Sequence, residues 1–274
     1  MRPASKRPPV PFALPAALIA AIVSAGLLGT GAVARGAAAP PTKTKGVLTV
    51  AIELGDPGFA EGTVDSAHGF DVDSAKALAK RLGLRIRFVN YPFAQLFVPG
   101  PKPYDVAFEF ATIVPGRARF VDFSTPYFSS TQGVLVARDI TGPVTLARLR
   151  KLQMCAKQVT TGFSYVRDVL KPKGLILEYP TAASALSALS KSICDAFVFD
   201  LPSLIAAKQA APGRYGALAG RVGSTERYGA VLGKGSPLRP AVDKAITALR
   251  RNGTFRRIGA RNFGPGLASA PVIR

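Results

Sequence analysis

From Gly46 onward, short apolar runs alternate with segments whose apolar residues recur at helical spacing. The first run predicts a β-strand over 47–53, and the next segment predicts a helix over 72–82. Asp71 is a suitable N-cap for that helix, and Gly83 is a suitable C-terminal stop. Such an alternation is typical of an α/β protein.

The same alternation continues to the end of the chain. Further strands are predicted over 85–89, 105–110, 133–137, 153–157, 175–179 and 195–199, and further helices over 165–170, 182–191, 201–209 and 238–251. The last three strands belong to a βαβαβ unit and are expected to be parallel. Asn252 and Gly253 end the last helix.

Two α/β halves predict two lobes, and ligands favour the crevice between lobes at the carboxyl ends of parallel strands.

The N-terminal segment has a different composition. Arg2, Lys6 and Arg7 precede an uncharged apolar run over 12–33, and small residues crowd 31–39. This order predicts a secretory signal peptide over 1–39, followed by a flexible leader over 40–45. An uncleaved membrane anchor is the alternative, because ~20 apolar residues span a bilayer. No cysteine lies near the cleavage region, which argues against a lipid anchor.

Charge and cysteine content narrow the classes of function. The formal net charge is +20, but the basic residues are spread along the chain and no nucleic-acid-binding motif is present, so nucleic acid is not the expected partner. Cys155 and Cys194 are the two cysteines, and export favours a disulfide between them, with two free buried thiols as the alternative. His68 is the one histidine, which argues against a metal site and against a serine or cysteine triad.

The clearest chemistry in the sequence is a possible carboxylate receptor. Thr112 and Arg117 lie in a loop after the predicted strand 105–110, where a hydroxyl, free amides and a guanidinium meet. Arginine grips both oxygens of a carboxylate at once. The alternative is an ordinary surface arginine.

An ordered set of motifs resembles a known family. The motifs are 69–73 (GFDVD), 104–106 (YDV), 112–117 (TIVPGR), 121–127 (VDFSTPY), 160–162 (TTG), 194–196 (CDA) and 252–255 (NGTF). In this order they resemble the bacterial extracellular solute-binding proteins of family 3, which bind polar amino acids for ABC transporters.

The resemblance implies a type II periplasmic-binding-protein-like fold with two lobes. Lobe 1 is expected over 46–130 and 231–274 and lobe 2 over 131–230, with crossing hinge segments near 129–133 and 227–231. The implied protein is a periplasmic monomer that hands an amino-acid-like ligand to an ABC permease and its ATPase. It implies neither a cofactor nor catalysis.

The resemblance also implies a role for individual residues. Arg117 would bind the ligand's α-carboxylate, helped by Thr112 and by backbone at Phe110 and Thr161, while Asp200 would pair with the α-ammonium. Asp200 also suits the N-cap of the helix over 201–209. Phe93 would pack on the ligand's side chain or lie in the core, and Glu53 would stand near the side-chain pocket.

Several positions depart from the family pattern. Asp56 replaces a ring that sandwiches the ligand in relatives, Glu109 adds an acid, and Phe110 and Val159 stand where glycine is usual. The side-chain specificity is therefore open, and a cationic side chain is conceivable. Two alternatives also stay open: an exported cyclohexadienyl-dehydratase-like lyase using Glu53, Asp56 or Glu109 as its acid, and an anchored ligand sensor.

Overall fold

The computed structural model describes residues 39–264 and 270–274. Except for Ala39, the predicted signal peptide lies outside the described residues. The alternatives of a cleaved signal and a membrane anchor concern the same residues. The described chain forms two five-stranded sheets, each covered by helices. None of the helices within 39–264 is long and apolar enough to cross a membrane.

The first sheet has the strand order β2-β1-β3-β10-β4. Its strands are β1 (Val47–Ile52), β2 (Arg85–Asn90), β3 (Val106–Ala107), β4 (Val121–Phe123) and β10 (Val231–Gly233). β1 runs parallel to β2 and β3, whereas β10 pairs antiparallel with β3 and β4. The elements packed around this sheet are α1 (Phe70–Leu82), a 3₁₀ turn (Phe93–Phe97), α2 (Pro115–Ala118), α7 (Arg239–Arg251) and α8 (Thr254–Phe263).

The second sheet has the order β7-β6-β8-β5-β9. Its strands are β5 (Phe128–Val136), β6 (Met154–Lys157), β7 (Ile176–Tyr179), β8 (Ala196–Asp200) and β9 (Leu218–Tyr228). The predicted parallel arrangement of β6, β7 and β8 is confirmed, and β5 joins them antiparallel. Its helices are α3 (Leu146–Leu149), α4 (Thr161–Ser164), a π-helical segment (Tyr165–Leu170), α5 (Ala182–Ser190) and α6 (Leu201–Ala210).

The chain passes between the sheets twice. It leaves the first sheet after β4 and returns to it at β10, so β5 and β9 are the strands on the crossing paths. These two strands pair with each other, with Phe128 opposite Tyr228 at the end nearest the first sheet. The two-lobed α/β fold predicted from the sequence is therefore confirmed, whereas the limits of the lobes at 130 and 230 stay a prediction.

The helix α1 shows how local sequence builds this fold. Its apolar face, with Val72, Ala75 and Leu78, is fully buried, and Gly83 ends it in a left-handed conformation as predicted. The prediction for its start was wrong, because Gly69 is the N-cap and Asp71 lies inside the first turn.

Short elements account for most other differences. The strand predicted over 105–110 reduces to β3, and the chain bends further on at Phe110, whose φ is 35°. The helix predicted over 165–170 is π-helical and continues α4. The predicted stop at Gly253 is real, but its left-handed backbone starts a further helix, α8, instead of a loop.

The ends of the described chain are attached to the fold. In the predicted flexible leader, Lys43 donates its backbone N–H to the Asp105 carboxylate at 2.7 Å. At the other end, Val272 forms a parallel backbone β-bridge with Arg221, and Ile273 packs in the apolar cluster of the second sheet. Residues 270–274 therefore lie against the second sheet, although the sequence assigned them to lobe 1.

The predicted disulfide is confirmed. Cys155 in β6 and Cys194 just before β8 are bonded, with their Cα atoms 5.7 Å apart. Both residues are fully buried. The bond ties two adjacent parallel strands whose carboxyl ends carry candidate site residues.

Candidate functional site

A small enclosed cavity lies where the two sheets meet, with a volume of about 10 Å³. It is lined by Phe93, Phe110, Thr112, Arg117, Lys157, Thr160, Thr161 and Asp200. Lys157 and Asp200 end the parallel strands β6 and β8, so the carboxyl ends of these strands supply charged groups of opposite sign. Six of the seven ligand-binding residues predicted from the sequence line this cavity, and Glu53 lies behind it.

Arg117 is buried rather than being a surface residue, with 9% of its surface exposed. Its Nη1 donates to the Thr112 carbonyl at 3.0 Å and its Nη2 donates to the Val159 carbonyl at 2.9 Å. The guanidinium lies over the rings of Phe93 and Phe97, 5.1 and 4.6 Å from their centroids. Burial lowers the pKa of Arg117 to about 10, so it stays cationic at neutral pH. Two carbonyls use two of its five N–H groups.

Asp200 is the second charged group of the cavity. It occupies the N-cap position of α6, but its side chain makes no capping hydrogen bond. Its Oδ1 instead accepts from the Tyr228 hydroxyl and from Gln132 Nε2, the latter at 3.4 Å. Burial, reinforced by the negative charge of Glu226, raises the pKa of Asp200 to about 7. The Asp200 side chain therefore lines the cavity and does not cap its own helix.

The polar edge of the site consists of two threonines and one acid, and only the acid was missed by the sequence analysis. Glu226 of β9 accepts from Thr112 Oγ1 at 2.5 Å and from Thr161 Oγ1 at 2.9 Å. Thr160 is the N-cap of α4 and its side chain accepts from the Phe163 amide, so Thr161 is the first helical residue. Glu226 thus links the first sheet's loop to the start of α4.

Lys157 is the largest omission of the sequence analysis. Its ammonium contacts the Glu53 carboxylate closely and lies 3.3 Å from both Asp56 oxygens, and its side chain is 1% exposed. Burial opposes its charge, but the carboxylates of Asp56 and Glu53 outweigh burial and raise the pKa of Lys157. The sequence feature that indicated Lys157 was its place as the single charged residue ending the apolar run of β6. Ligands bind parallel sheets at this edge.

The remaining acids near the cavity have different surroundings. Burial raises the pKa of Asp56 to about 7, against the lowering effect of Lys157. Glu109 is buried, and among the described residues neither of its carboxyl oxygens has a hydrogen-bond partner; burial raises its pKa well above the usual value. Asp56 and Glu109 are thus near the cavity, as the sequence suggested, but neither contributes to its lining.

The backbone of the site is unusual at Phe110 and Val159. Both have positive φ, 35° and 64°, in the region that favours glycine. The Phe110 amide donates to the Asp71 carboxylate at 2.7 Å and to the Tyr127 hydroxyl oxygen at 3.1 Å. The Phe110 amide is therefore engaged with Asp71 and Tyr127, and the help of the Phe110 backbone to a ligand carboxylate stays a prediction.

A larger surface groove has a structural explanation. It has a volume of about 650 Å³ and is lined by parts of 41–43, 100–105 and 233–238. Its Asp105 carboxylate accepts the backbone amides of Lys43 and Thr49, and its Lys102 ammonium donates to backbone carbonyls. These charged side chains stabilise the N-terminal part of the described chain and the neighbouring loops through hydrogen bonds to backbone groups. The enclosed cavity between the sheets, with its facing charges, is the better candidate site.

Comparison with known proteins adds the following findings. The family described as bacterial extracellular solute-binding proteins, family 3, matches residues 48–265. The ABC transporter arginine-binding protein 1 of Escherichia coli K12 is 26% identical over 202 residues, covering 71% of this chain and 81% of the relative. The glutamate-binding protein GluB of Corynebacterium efficiens is 28% identical over 236 residues, covering 80% and 79%.

A solved structure agrees with these sequence matches. An ancestral arginine-binding protein bound to glutamine superposes with a TM-score of 0.74 at 27% identity. The match covers 81% of this chain and 99% of that one. The relatives are thus named for different amino acids on one fold.

Proposed function

Since the chain belongs to the bacterial extracellular solute-binding proteins of family 3, we propose that it binds a small amino-acid-like ligand between its two sheets. The observation that carries the proposal is the pairing of Arg117 and Asp200 in one buried cavity. An amino acid presents a carboxylate and an ammonium about one carbon apart, and these two side chains offer a partner of opposite charge to each.

The carboxylate of the ligand binds to the free N–H groups of Arg117. The ring faces of Phe93 and Phe97 and the Val159 carbonyl hold the guanidinium in one orientation, which reduces the conformational entropy lost on binding. The Thr112 and Thr161 hydroxyls lie beside it.

The ammonium of the ligand binds to Asp200. The Tyr228 hydroxyl and Gln132 fix this carboxylate. A buried ammonium without an acid partner would be costly, so Asp200 supplies what this half of the ligand requires.

The family relationship extends the proposal to location and partners. Relatives are named as periplasmic or extracellular binding proteins of ABC transporters. We therefore assign this chain to the periplasm, where it passes its ligand to a permease and its ATPase and performs no catalysis. The lyase alternative is not favoured, because relatives are named as binding proteins. Of its three candidate acids, Glu53 and Asp56 are tied to Lys157, and Glu109 does not line the cavity.

Isothermal titration of the purified protein with the twenty amino acids tests the proposal. At least one amino acid is expected to bind, and Arg117→Ala is expected to weaken it by at least about 100-fold, because the buried carboxylate then has no charged partner. Arg119→Ala is the matched control, since Arg119 lies two residues away on the surface.

The proposal fails if no amino acid binds, or if Arg117→Ala and Arg119→Ala have the same affinity. Incubation with prephenate and arogenate under the same conditions, followed by product detection, tests for catalysis. Turnover of either compound would favour the lyase alternative instead.

A further inference from the structure

The aromatic side chains around Lys157 form a receptor for a cation on a flexible stem. The ammonium of Lys157 lies 5.1 Å from the ring centroid of Phe93, 5.9 Å from that of Phe110 and 5.7 Å from that of Phe199. Ring faces at such distances attract a cation. We call this aromatic enclosure, together with the two carboxylates behind it, the cation box.

The carboxylates of the cation box come from Glu53 and Asp56. Glu53 contacts the ammonium through Oε2, and its Oε1 accepts from the Phe93 amide at 3.0 Å. Asp56 approaches the ammonium with both oxygens. Lys157 reaches these acids from the second sheet, whereas both acids follow β1 of the first sheet. A side chain of the protein thus fills a space suited to a cationic side chain.

We propose that Lys157 occupies the side-chain subsite of the cavity, so that the site selects amino acids with a small, uncharged side chain and rejects cationic ones. This inference rests on the proposed function, because it assumes that Arg117 and Asp200 hold the backbone groups of an amino acid. It concerns only the third part of the ligand, its side chain.

Space is the first argument. Lys157 lines the same cavity as Arg117 and Asp200 and is 1% exposed, so its stem and ammonium fill one side of the enclosure. The cavity left between these groups has a volume of about 10 Å³. That volume holds about one water molecule, so any amino acid requires the two sheets to move apart. The space among Phe93, Phe110 and Phe199 is occupied by Lys157 while its ammonium contacts Glu53 and Asp56, and it is then closed to the side chain of a ligand.

Charge is the second argument. A cationic side chain would meet the ammonium of Lys157 in a buried site, where like charges repel strongly. An anionic side chain would meet the carboxylates of Glu53 and Asp56 behind the ammonium. A zwitterion with an uncharged side chain adds no net charge to this arrangement. The charges therefore favour ligands with an uncharged side chain, and the occupied space favours small ones such as glycine, alanine or serine.

Opening the box tests the inference. Lys157→Ala leaves the three rings and the two acids around an open space, and it is expected to gain affinity for lysine or arginine by at least about tenfold over the unmodified protein. Lys157→Met keeps the space filled and is expected to show no such gain. Lys151→Ala removes an exposed lysine before the same strand and serves as the matched control.

Isothermal titration with glycine, alanine, serine, aspartate, glutamate, lysine and arginine is the measurement. The unmodified protein is expected to bind a small uncharged amino acid at least about tenfold more tightly than any charged one. The triple variant with Lys157→Ala, Glu53→Gln and Asp56→Asn is expected to lose the gained affinity for cations, because the attracting acids are absent.

Tight binding of lysine, arginine, aspartate or glutamate by the unmodified protein overturns the inference and leaves the proposed function intact. A Lys157→Ala variant that melts as one cooperative unit and gains no affinity for cations overturns it as well. If Lys157→Ala does not fold, the selectivity of the unmodified protein decides. Absence of binding by any amino acid to any variant rejects the proposed function itself.

Discussion

Two residues beside the cavity have backbone conformations that their side chains disfavour. Val159, with φ of 64°, is β-branched and Phe110, with φ of 35°, is aromatic, and the backbone of each makes a hydrogen bond to a side chain distant in sequence. Arg117 donates to the Val159 carbonyl, and the Asp71 carboxylate accepts from the Phe110 amide. Strain of this kind persists where surrounding contacts enforce it, and it is common at binding sites.

Val159→Gly is expected to stabilise the protein. The left-handed conformation costs an L-residue about 1–2 kcal/mol, which exceeds the entropy cost of a glycine of about 0.5–1 kcal/mol. Val159 is 46% exposed, so little packing is lost. Thermal unfolding is expected to show a higher midpoint for Val159→Gly and a lower one for the control Val169→Gly, which lies in the π-helical segment and is 58% exposed. An equal decrease in both variants would contradict the strain.

Whether the role of a residue could be predicted depended on whether its contacts are made by residues near it in the sequence. Roles for Arg117 and Asp200 could be predicted because the ordered motifs that resemble the family include or adjoin these residues. Lys157 was not, because the meaning of a lysine at a strand end depends on Glu53 and Asp56, about a hundred positions earlier. The assignment of Asp71 as an N-cap was wrong for the same reason, since its partners are Phe110 and Tyr127.

At the scale of elements, α1 depends on how its N-cap residue approaches a neighbouring loop. Gly69 has φ of 122°, and a Cβ there would lie 2.4 Å from the Phe59 carbonyl oxygen. That approach accompanies the hydrogen bond from the Asp71 amide to the same carbonyl at 3.1 Å. The start of α1 therefore positions the Asp71 side chain that supports Phe110.

Gly69→Ala is expected to destabilise the protein much more than Gly83→Ala. Both glycines have positive φ, but a Cβ at Gly83 meets no atom within 4 Å, so that variant carries only the conformational cost of about 1 kcal/mol. At Gly69 backbone must also move, which adds at least about 1–3 kcal/mol. Urea unfolding of both variants measures the difference, and equal losses would refute the proposed close approach.

Elements were predictable when their own periodicity was strong. α1, α5 and α7 have one apolar face, whereas α6 is buried on several faces. The observed bounds of these four helices lie within two residues of the predicted ones. The strands β4 and β10 are three residues long and exist through pairing with each other, which a local pattern does not contain. α8 was missed because a glycine stop was taken as the end of helical structure.

At the scale of the whole molecule, polar contacts between the sheets surround the cavity. Lys157 of the second sheet reaches Glu53 and Asp56, and Arg117 reaches the Val159 carbonyl. Two crossing strands join the same halves covalently, and such a connection permits hinge motion in two-lobed proteins. The balance between open and closed arrangements then depends on these contacts and on the ligand.

The double variant Glu53→Gln and Asp56→Asn is expected to shift the protein towards an open arrangement. It leaves Lys157 buried without a charged partner, a loss of about 3–5 kcal/mol that opening relieves by hydrating the ammonium. Small-angle scattering without ligand is expected to give a radius of gyration about 1 Å above that of the unmodified protein, for which roughly 18 Å is typical of this length. Asp168→Asn, which breaks a half-exposed ion pair with Arg167, is expected to change nothing. An unchanged radius in the double variant would show that the crossing strands, not these charges, determine closure.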